Sequence, residues 1–231
     1  MKLIIANNEY TLDTNLTNLL DILIYIRENV DSSLGFKFNC KSGVCGSCSV
    51  RVNGSEKLAC NYKTKDGDII EPLKNVPVVK DLIIENSNIN QKLQLIDTTM
   101  NDNNIIKQKD IDVIDIASNC ILCNSCYSSC PVFEYNPDFI GPFALTKAYR
   151  YIQDAKDNDN TNKINAIQNK GVWDCTLCGY CSAVCPQSID IKSDIQQLQN
   201  ISVQTGHQNP NFANSFGGFG GDDFGFNPNG F

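Results

Sequence analysis

Two stretches of this 231-residue chain share a pattern so specific that the rest must fold around it. Cys120, Cys123, Cys126 and Cys130, closed by Pro131, read C-x2-C-x2-C-x3-C-P. Cys175, Cys178, Cys181 and Cys185, closed by Pro186, repeat it. Three thiolates two residues apart take three corners of one iron–sulfur cubane, while the fourth lies a helical turn on and points toward a second. Each run therefore lends its last cysteine to the other's cluster. Cys120, Cys123, Cys126 and Cys185 are expected to hold one [4Fe–4S] cluster. Cys130, Cys175, Cys178 and Cys181 are expected to hold the second; with Cys178 free, that centre would be [3Fe–4S]. Proline after the fourth cysteine stops the local helix, because it lacks the N–H that the next turn needs. Zinc sites instead pair two C-x2-C knuckles across a longer spacer.

A third cysteine set precedes these two. Cys40, Cys45, Cys48 and Cys60 follow the C-x4-C-x2-C…C spacing of a plant-type [2Fe–2S] centre. Gly43 and Gly46 let the loop fold over such a cluster with amide N–H groups aimed at its sulfurs, which offsets negative charge and tunes the potential. Residues 48–52 read as a strand, Asn53-Gly54 as a tight turn and 57–60 as the return that brings Cys60 beside Cys48. Upstream, residues 2–6 and 10–12 read as a hairpin about the polar Asn7-Asn8-Glu9. Residues 18–29 carry Leu19, Ile22, Leu23 and Ile26 at helical spacing, an amphipathic helix with one face on the sheet.

The twelve cysteines come with little else that does chemistry. Residues 1–6 are too short an apolar run for a secretory signal, so a reducing cytoplasm and metal-ligand cysteines are expected rather than disulfides. No run of about 18 apolar residues offers a membrane span. A net charge of −7 argues against a polyanion-binding role. The single histidine, His207, sits in a polar segment and reads as a solvated residue. No G-x-G-x-x-G opens a helix after a strand, so no flavin or nicotinamide site is expected.

The motif around Cys40, Cys45 and Cys48, with Leu58-Ala59-Cys60, resembles the iron–sulfur subunit of succinate dehydrogenases and fumarate reductases. Pro72-Leu73-Lys74-Asn75-Val76-Pro77 resembles that family's interdomain linker, and Gly141-Pro142-Phe143-Ala144-Leu145 its helix between the two cysteine runs. The resemblance covers residues 1–200. It implies an α+β fold: an N-terminal plant-type ferredoxin β-grasp domain (1–98), then an all-α two-cluster ferredoxin domain (99–202). Residues 203–231, rich in Gly, Phe and Asn, read as a disordered tail, or alternatively as a docking segment.

That resemblance further implies an electron-transfer subunit, relaying electrons between an FAD-containing flavoprotein subunit and a quinone or thiol partner. The far partner would be a membrane-anchor or a thiol/heterodisulfide-type subunit. The chain would be made in the cytoplasm and held peripherally at the inner face of the membrane. Ordinary family members lack a cysteine where Cys178 stands and hold a [3Fe–4S] centre there. Their paired tryptophans are replaced by Glu134 and Tyr135, and a quinone-side histidine by Thr176. The sequence thus looks closer to the methylmenaquinol- or thiol-linked fumarate reductases and the archaeal-type succinate dehydrogenases. The alternatives are the iron–sulfur subunit of another flavin dehydrogenase or heterodisulfide-type reductase, and a free-standing ferredoxin-like carrier.

Between the motifs, residues 85–110 read as a solvated interdomain linker, with helix over part of it as the alternative, and 132–137 as extended. A helix is expected over 142–155, a polar loop over 157–162 and a closing helix over 189–198. Trp173 reads as core.

Overall fold

The computed structural model describes residues 1–100, 102 and 104–210. Strand β1 (Lys2–Ile5) pairs antiparallel with β2 (Asn8–Thr11). The turn falls on Ala6 and Asn7, both at positive φ, one residue earlier than the polar run suggested. Mirror-type two-residue turns match the twist of the strands they join, and asparagine tolerates the left-handed region. Helix α1 (Leu19–Asn29) is capped by Asn18, whose side chain accepts from the N–H groups of Leu20 and Asp21. It buries Leu19, Leu20, Ile22, Leu23 and Ile26, each contributing about 1.5–3 kcal/mol.

The hairpin of β3 (Ser49–Val52) and β4 (Ser55–Leu58) turns on Asn53-Gly54, as expected. Strand β5 (Ile69–Glu71) then runs between β1, to which it is parallel, and β3, to which it is antiparallel. The resulting mixed sheet has the order β2-β1-β5-β3-β4. A second small ribbon joins β6 (Val78–Lys80) to β7 (Ile83–Ile84).

The segment over 85–110 departs from the expected solvated linker. Helix α2 (Ser87–Leu93) occupies part of it, and Ile89, Leu93 and Ile96 pack on the core of the helical half. Lys92 is buried and donates to the carbonyl of Pro137 at 3.1 Å. Apolar residues at i, i+4 and i+7 were enough to dock a short helix despite its polar composition.

The helical half follows with α3 (Gln108–Ser118), α4 (Ser125–Ser128), α5 (Pro142–Ile152), α6 (Thr161–Ala166), α7 (Tyr180–Ala183) and α8 (Ile191–Gln204). Residues Pro131–Glu134 form a 3-10 turn rather than the expected extended segment, because Pro131 presets the φ of a first helical position. Helix α5 stops at Ile152, short of 155. The polar loop ends at Asn160, where α6 is capped, and its Asp157 is buried against Lys163 at 2.7 Å. Trp173 lies in the core, its indole N–H donating to Gln168.

Helices α5 and α8 pack on each other, joined by hydrogen bonds from Thr146 Oγ1 to Asp194 and from Tyr149 OH to Gln197. Helix α8 runs past the expected 198 and across the expected boundary at 202, with Ser202 fully buried and bonded to Gln168. The expected disorder at 211–231 lies outside the described residues. Among the described residues no helix is long and apolar enough to cross a membrane.

Candidate iron–sulfur centres

Cys40, Cys45 and Cys48 lie in the loop ahead of β3, and Cys60 lies in a 3-10 turn (Ala59–Asn61) just after β4. The tight turn at Asn53-Gly54 sets Ser49 opposite Leu58. The N–H of Ala59 therefore reaches Cys48 O at 3.0 Å, and that of Cys60 approaches Cys48 Sγ at 3.5 Å. Asn18, which caps α1 through its oxygen, donates through its nitrogen to the Cys60 carbonyl at 2.8 Å. One side chain thus ties the core helix to the loop's fourth cysteine.

The loop bends at Lys41, Gly43 and Gly46, all at positive φ. The amide of Ser42 donates to Cys40 Sγ at 3.4 Å. Hydrogen bonds, foremost that one, hold the Cys40 thiol down to about 6, whereas burial pushes the Cys48 thiol up to about 12.

The two later runs are built alike. In the first, Leu122 and Asn124 flank Cys123 with φ of 54° and 63°, and α4 follows. In the second, Leu177 and Gly179 flank Cys178 with φ of 54° and 84°, and α7 follows. This repeated left-handed kink turns amides toward sulfur. Leu177 N–H donates to Cys175 Sγ at 3.4 Å, and the Leu122 amide does the same for Cys120.

Two small cavities result. One is lined by Cys120, Cys123, Cys126 and Cys185, with Phe143 and Ile189. The other is lined by Cys130, Cys175, Cys178 and Cys181, with Val132 and Lys192. Each cavity is lined by three cysteines of one run and the last cysteine of the other. Burial pushes the Cys126 thiol well above its ordinary value, Cys181 to about 12 and Cys130 to about 11. Cys126 is also within electrostatic reach of Cys181, so the two sets adjoin. Cys178 is the one exposed cysteine of the twelve.

This donor chemistry fits iron–sulfur clusters. Buried thiols become thiolates beside positive charge, and iron supplies it, since a coordinating thiol is deprotonated outright. Amide N–H groups aimed at the sulfurs offset the negative charge of the assembled site. Clusters held there would supply one-electron storage.

Several residues that shape the site were not read from the sequence. Asn75, at φ +62°, donates its amide to the carbonyls of Tyr127, Ser128 and Cys130, at 3.0, 3.1 and 3.2 Å. Ser128 donates its hydroxyl to Glu56 at 2.7 Å and accepts from the Lys74 amide at 2.8 Å. Asn88 and Asn124 pair their amides in a buried contact. Together these latch the sheet domain and α2 to the first cysteine run. An Asn in an Asn-rich chain gives no local sign of such a role; only the left-handed kink was a signal. Glu134 borders a cleft of about 480 Å³ beside Cys130 and Tyr180. Tyr135 is exposed, and Thr176 lines the second cavity.

Residues 5–91 match the family model of a 2Fe-2S iron-sulfur cluster binding domain, and residues 116–189 that of a 4Fe-4S dicluster domain. The chain is 36% identical over 193 residues to a fumarate reductase iron-sulfur subunit of Escherichia coli, covering 78% of this chain and 79% of the relative. It belongs to the succinate dehydrogenase/fumarate reductase iron–sulfur subunit family. As a member of that family it is an electron-transfer subunit of an oxidoreductase, with one [2Fe–2S] cluster and two further iron–sulfur clusters. Another family relative is a fumarate reductase (CoM/CoB) subunit of Methanothermobacter marburgensis. It is 31% identical over 193 residues, which cover 81% of this chain and 39% of that protein. The fold is also that of a chain in the solved structure of the Mycobacterium smegmatis Sdh1 complex in the apo form. The TM-score is 0.82 at 24% identity, over 90% of this chain and 97% of that one.

Proposed function

We infer that all twelve cysteines are cluster ligands in three sets: Cys40, Cys45, Cys48 and Cys60 for [2Fe–2S]; Cys120, Cys123, Cys126 and Cys185 for [4Fe–4S]; and Cys130, Cys175, Cys178 and Cys181 for a second [4Fe–4S]. The observation that carries this reading is the pair of cavities, each lined by three cysteines of one run and the last of the other. The units proposed with it are 1–98 and a second unit from 99 that runs to the end of α8 at Gln204 rather than to 202.

The chain works between an FAD-containing flavoprotein subunit, where succinate and fumarate interconvert, and a membrane-anchor or thiol/heterodisulfide-type subunit. The complex sits peripherally at the cytoplasmic face of the membrane. This chain's own contribution is to bind, insulate and align. Phe143, Ile189 and Val132 exclude water from the two inner cysteine sets. The latch from Asn75 and Glu56 holds the first run against the sheet domain. A thiol-linked partner is supported by the relative from M. marburgensis and by Glu134, Tyr135 and Thr176 in place of the usual quinone-side residues.

Purification of the native complex without oxygen tests the reading. Copurification of a flavin subunit, with fumarate reduction driven by a quinol or a dithiol, is the expected result. A chain that isolates as a stable monomer from native extract would contradict it.

A further inference from the structure

The two glycines of the first cysteine loop look equivalent in sequence, and both have φ near +75° in the structure: +79° for Gly43 and +73° for Gly46. Their surroundings differ. A Cβ added at Gly43 would meet nothing within 4 Å. One added at buried Gly46 would lie 2.7 Å from Cys123 Cβ, 2.9 Å from Cys123 Cα and 3.3 Å from Ile121 O. None of these atoms is the far end of a flexible side chain. They belong to the opening of the first C-x2-C-x2-C run, whose Ile121 and Cys123 pack on the core of the sheet domain.

On the other side of the same junction, Gln187 Nε2 donates to Gly43 O at 3.0 Å. Gln187 stands two residues past Cys185. The first loop is therefore pinned against the second cysteine set at two points, one beside Cys123 and one beside Cys185. Within the loop, Ser49 fixes Gly46 by donating its hydroxyl to the Gly46 carbonyl at 2.8 Å.

We propose that Gly46 is a positioning residue for electron passage between the first and second cysteine sets. Having no side chain, it allows the loop backbone to touch Cys123, and Gln187 holds the contact shut. The inference rests on the ligand sets given above. The exchange is of one electron, lost at one set and gained at the other, with no bond made or broken and no proton moved. Gly46 thus has a requirement that Gly43 lacks: beyond the left-handed backbone that glycine favours, it must leave room for a neighbouring backbone.

The test is electron paramagnetic resonance of the full chain, isolated without oxygen and reduced with dithionite. Adjacent reduced [2Fe–2S] and [4Fe–4S] centres broaden each other's signals and speed their relaxation. The wild type should show both signals and this mutual broadening. Gly46→Ala should retain both signals and the iron content while the mutual broadening weakens, and transfer from the first centre to the second should slow. Gly43→Ala carries the same backbone strain without the collision and should keep the broadening. A Gly46→Ala chain with both signals intact and wild-type broadening would overturn the proposal. Should that variant fail to assemble its first centre, Gln187→Leu takes its place. Reduced broadening with both signals present would support the contact, and wild-type broadening would overturn it. A wild type lacking the [2Fe–2S] signal would overturn the ligand assignment, and the proposal with it. That failure is recognised without any variant.

Discussion

The two halves of this chain solve the same problem in opposite ways. In the sheet domain, four cysteines come from one loop and one hairpin, so the candidate site is local in sequence and partly open to solvent. In the helical half, each set takes its fourth cysteine from the other run, so neither is complete until α4 and α7 have packed together. Local closure costs little chain entropy, whereas crossed closure makes the two sites one cooperative unit. The difference teaches that a lost ligand should have local consequences in the first half and shared ones in the second.

The largest expected effect breaks that contrast directly. Cys185→Ser should cost the first cubane, and with it the second, because the sets share α4 and α7. Cys60→Ser should cost only the [2Fe–2S] signal. Iron analysis and electron paramagnetic resonance decide the matter; a Cys185→Ser chain that keeps a full second centre would dissolve the cooperative picture.

A second effect is confined to the helical half's protein core. Lys163 and Asp157 form an ion pair whose side chains are 1% and 0% exposed. Lys163→Met removes the cation buried beside the Asp157 carboxylate and should destabilise the fold by about 3–5 kcal/mol. Lys170 and Asp138 are slightly closer, at 2.6 Å, but lie in solvent, so Lys170→Met should cost far less than Lys163→Met. Chemical denaturation of the two variants measures the difference.

How much of this was legible follows from the same contrast. Cysteine spacing is a local signal, so the grouping of the later cysteines into two cavities, each with one cysteine from the other run, was legible before any fold was known. Helix α1 was legible because its apolar face is a local signal. Helix α2 was legible only as the less favoured alternative to a linker, because polar residues outnumber Ile89 and Leu93, and only a distant core gives those two somewhere to pack. The Asn75 latch and the Asn88–Asn124 pair were missed for a related reason. Each joins residues dozens of positions apart, and nothing in a lone asparagine reveals its partner. Gly43 and Gly46 show the limit most sharply: one motif and one backbone conformation, with the neighbour that separates them far along the chain.

The smallest effect probes the α5–α8 contact. Burial raises the Asp194 carboxyl from 3.8 to about 6, against the hydrogen bond from Thr146. Between those values the folded chain keeps a proton that the unfolded chain has released. Stability should therefore fall as pH rises from about 4 to about 6. Asp194→Asn, which can still accept from Thr146, should flatten that slope in thermal unfolding measured across the window. An unchanged slope would place the titration elsewhere.

The central claim is that all three cysteine sets are complete, and Cys178 is where that claim is most exposed. It is the solvent-facing member of its set, yet it lines the same cavity as Cys130, Cys175 and Cys181. Electron paramagnetic resonance of the chain, purified without oxygen and oxidised gently, tests it directly. The account predicts no major three-iron signal in the wild type and the appearance of one in Cys178→Ala. A wild type already dominated by a stable three-iron signal would mean that Cys178 is not a ligand.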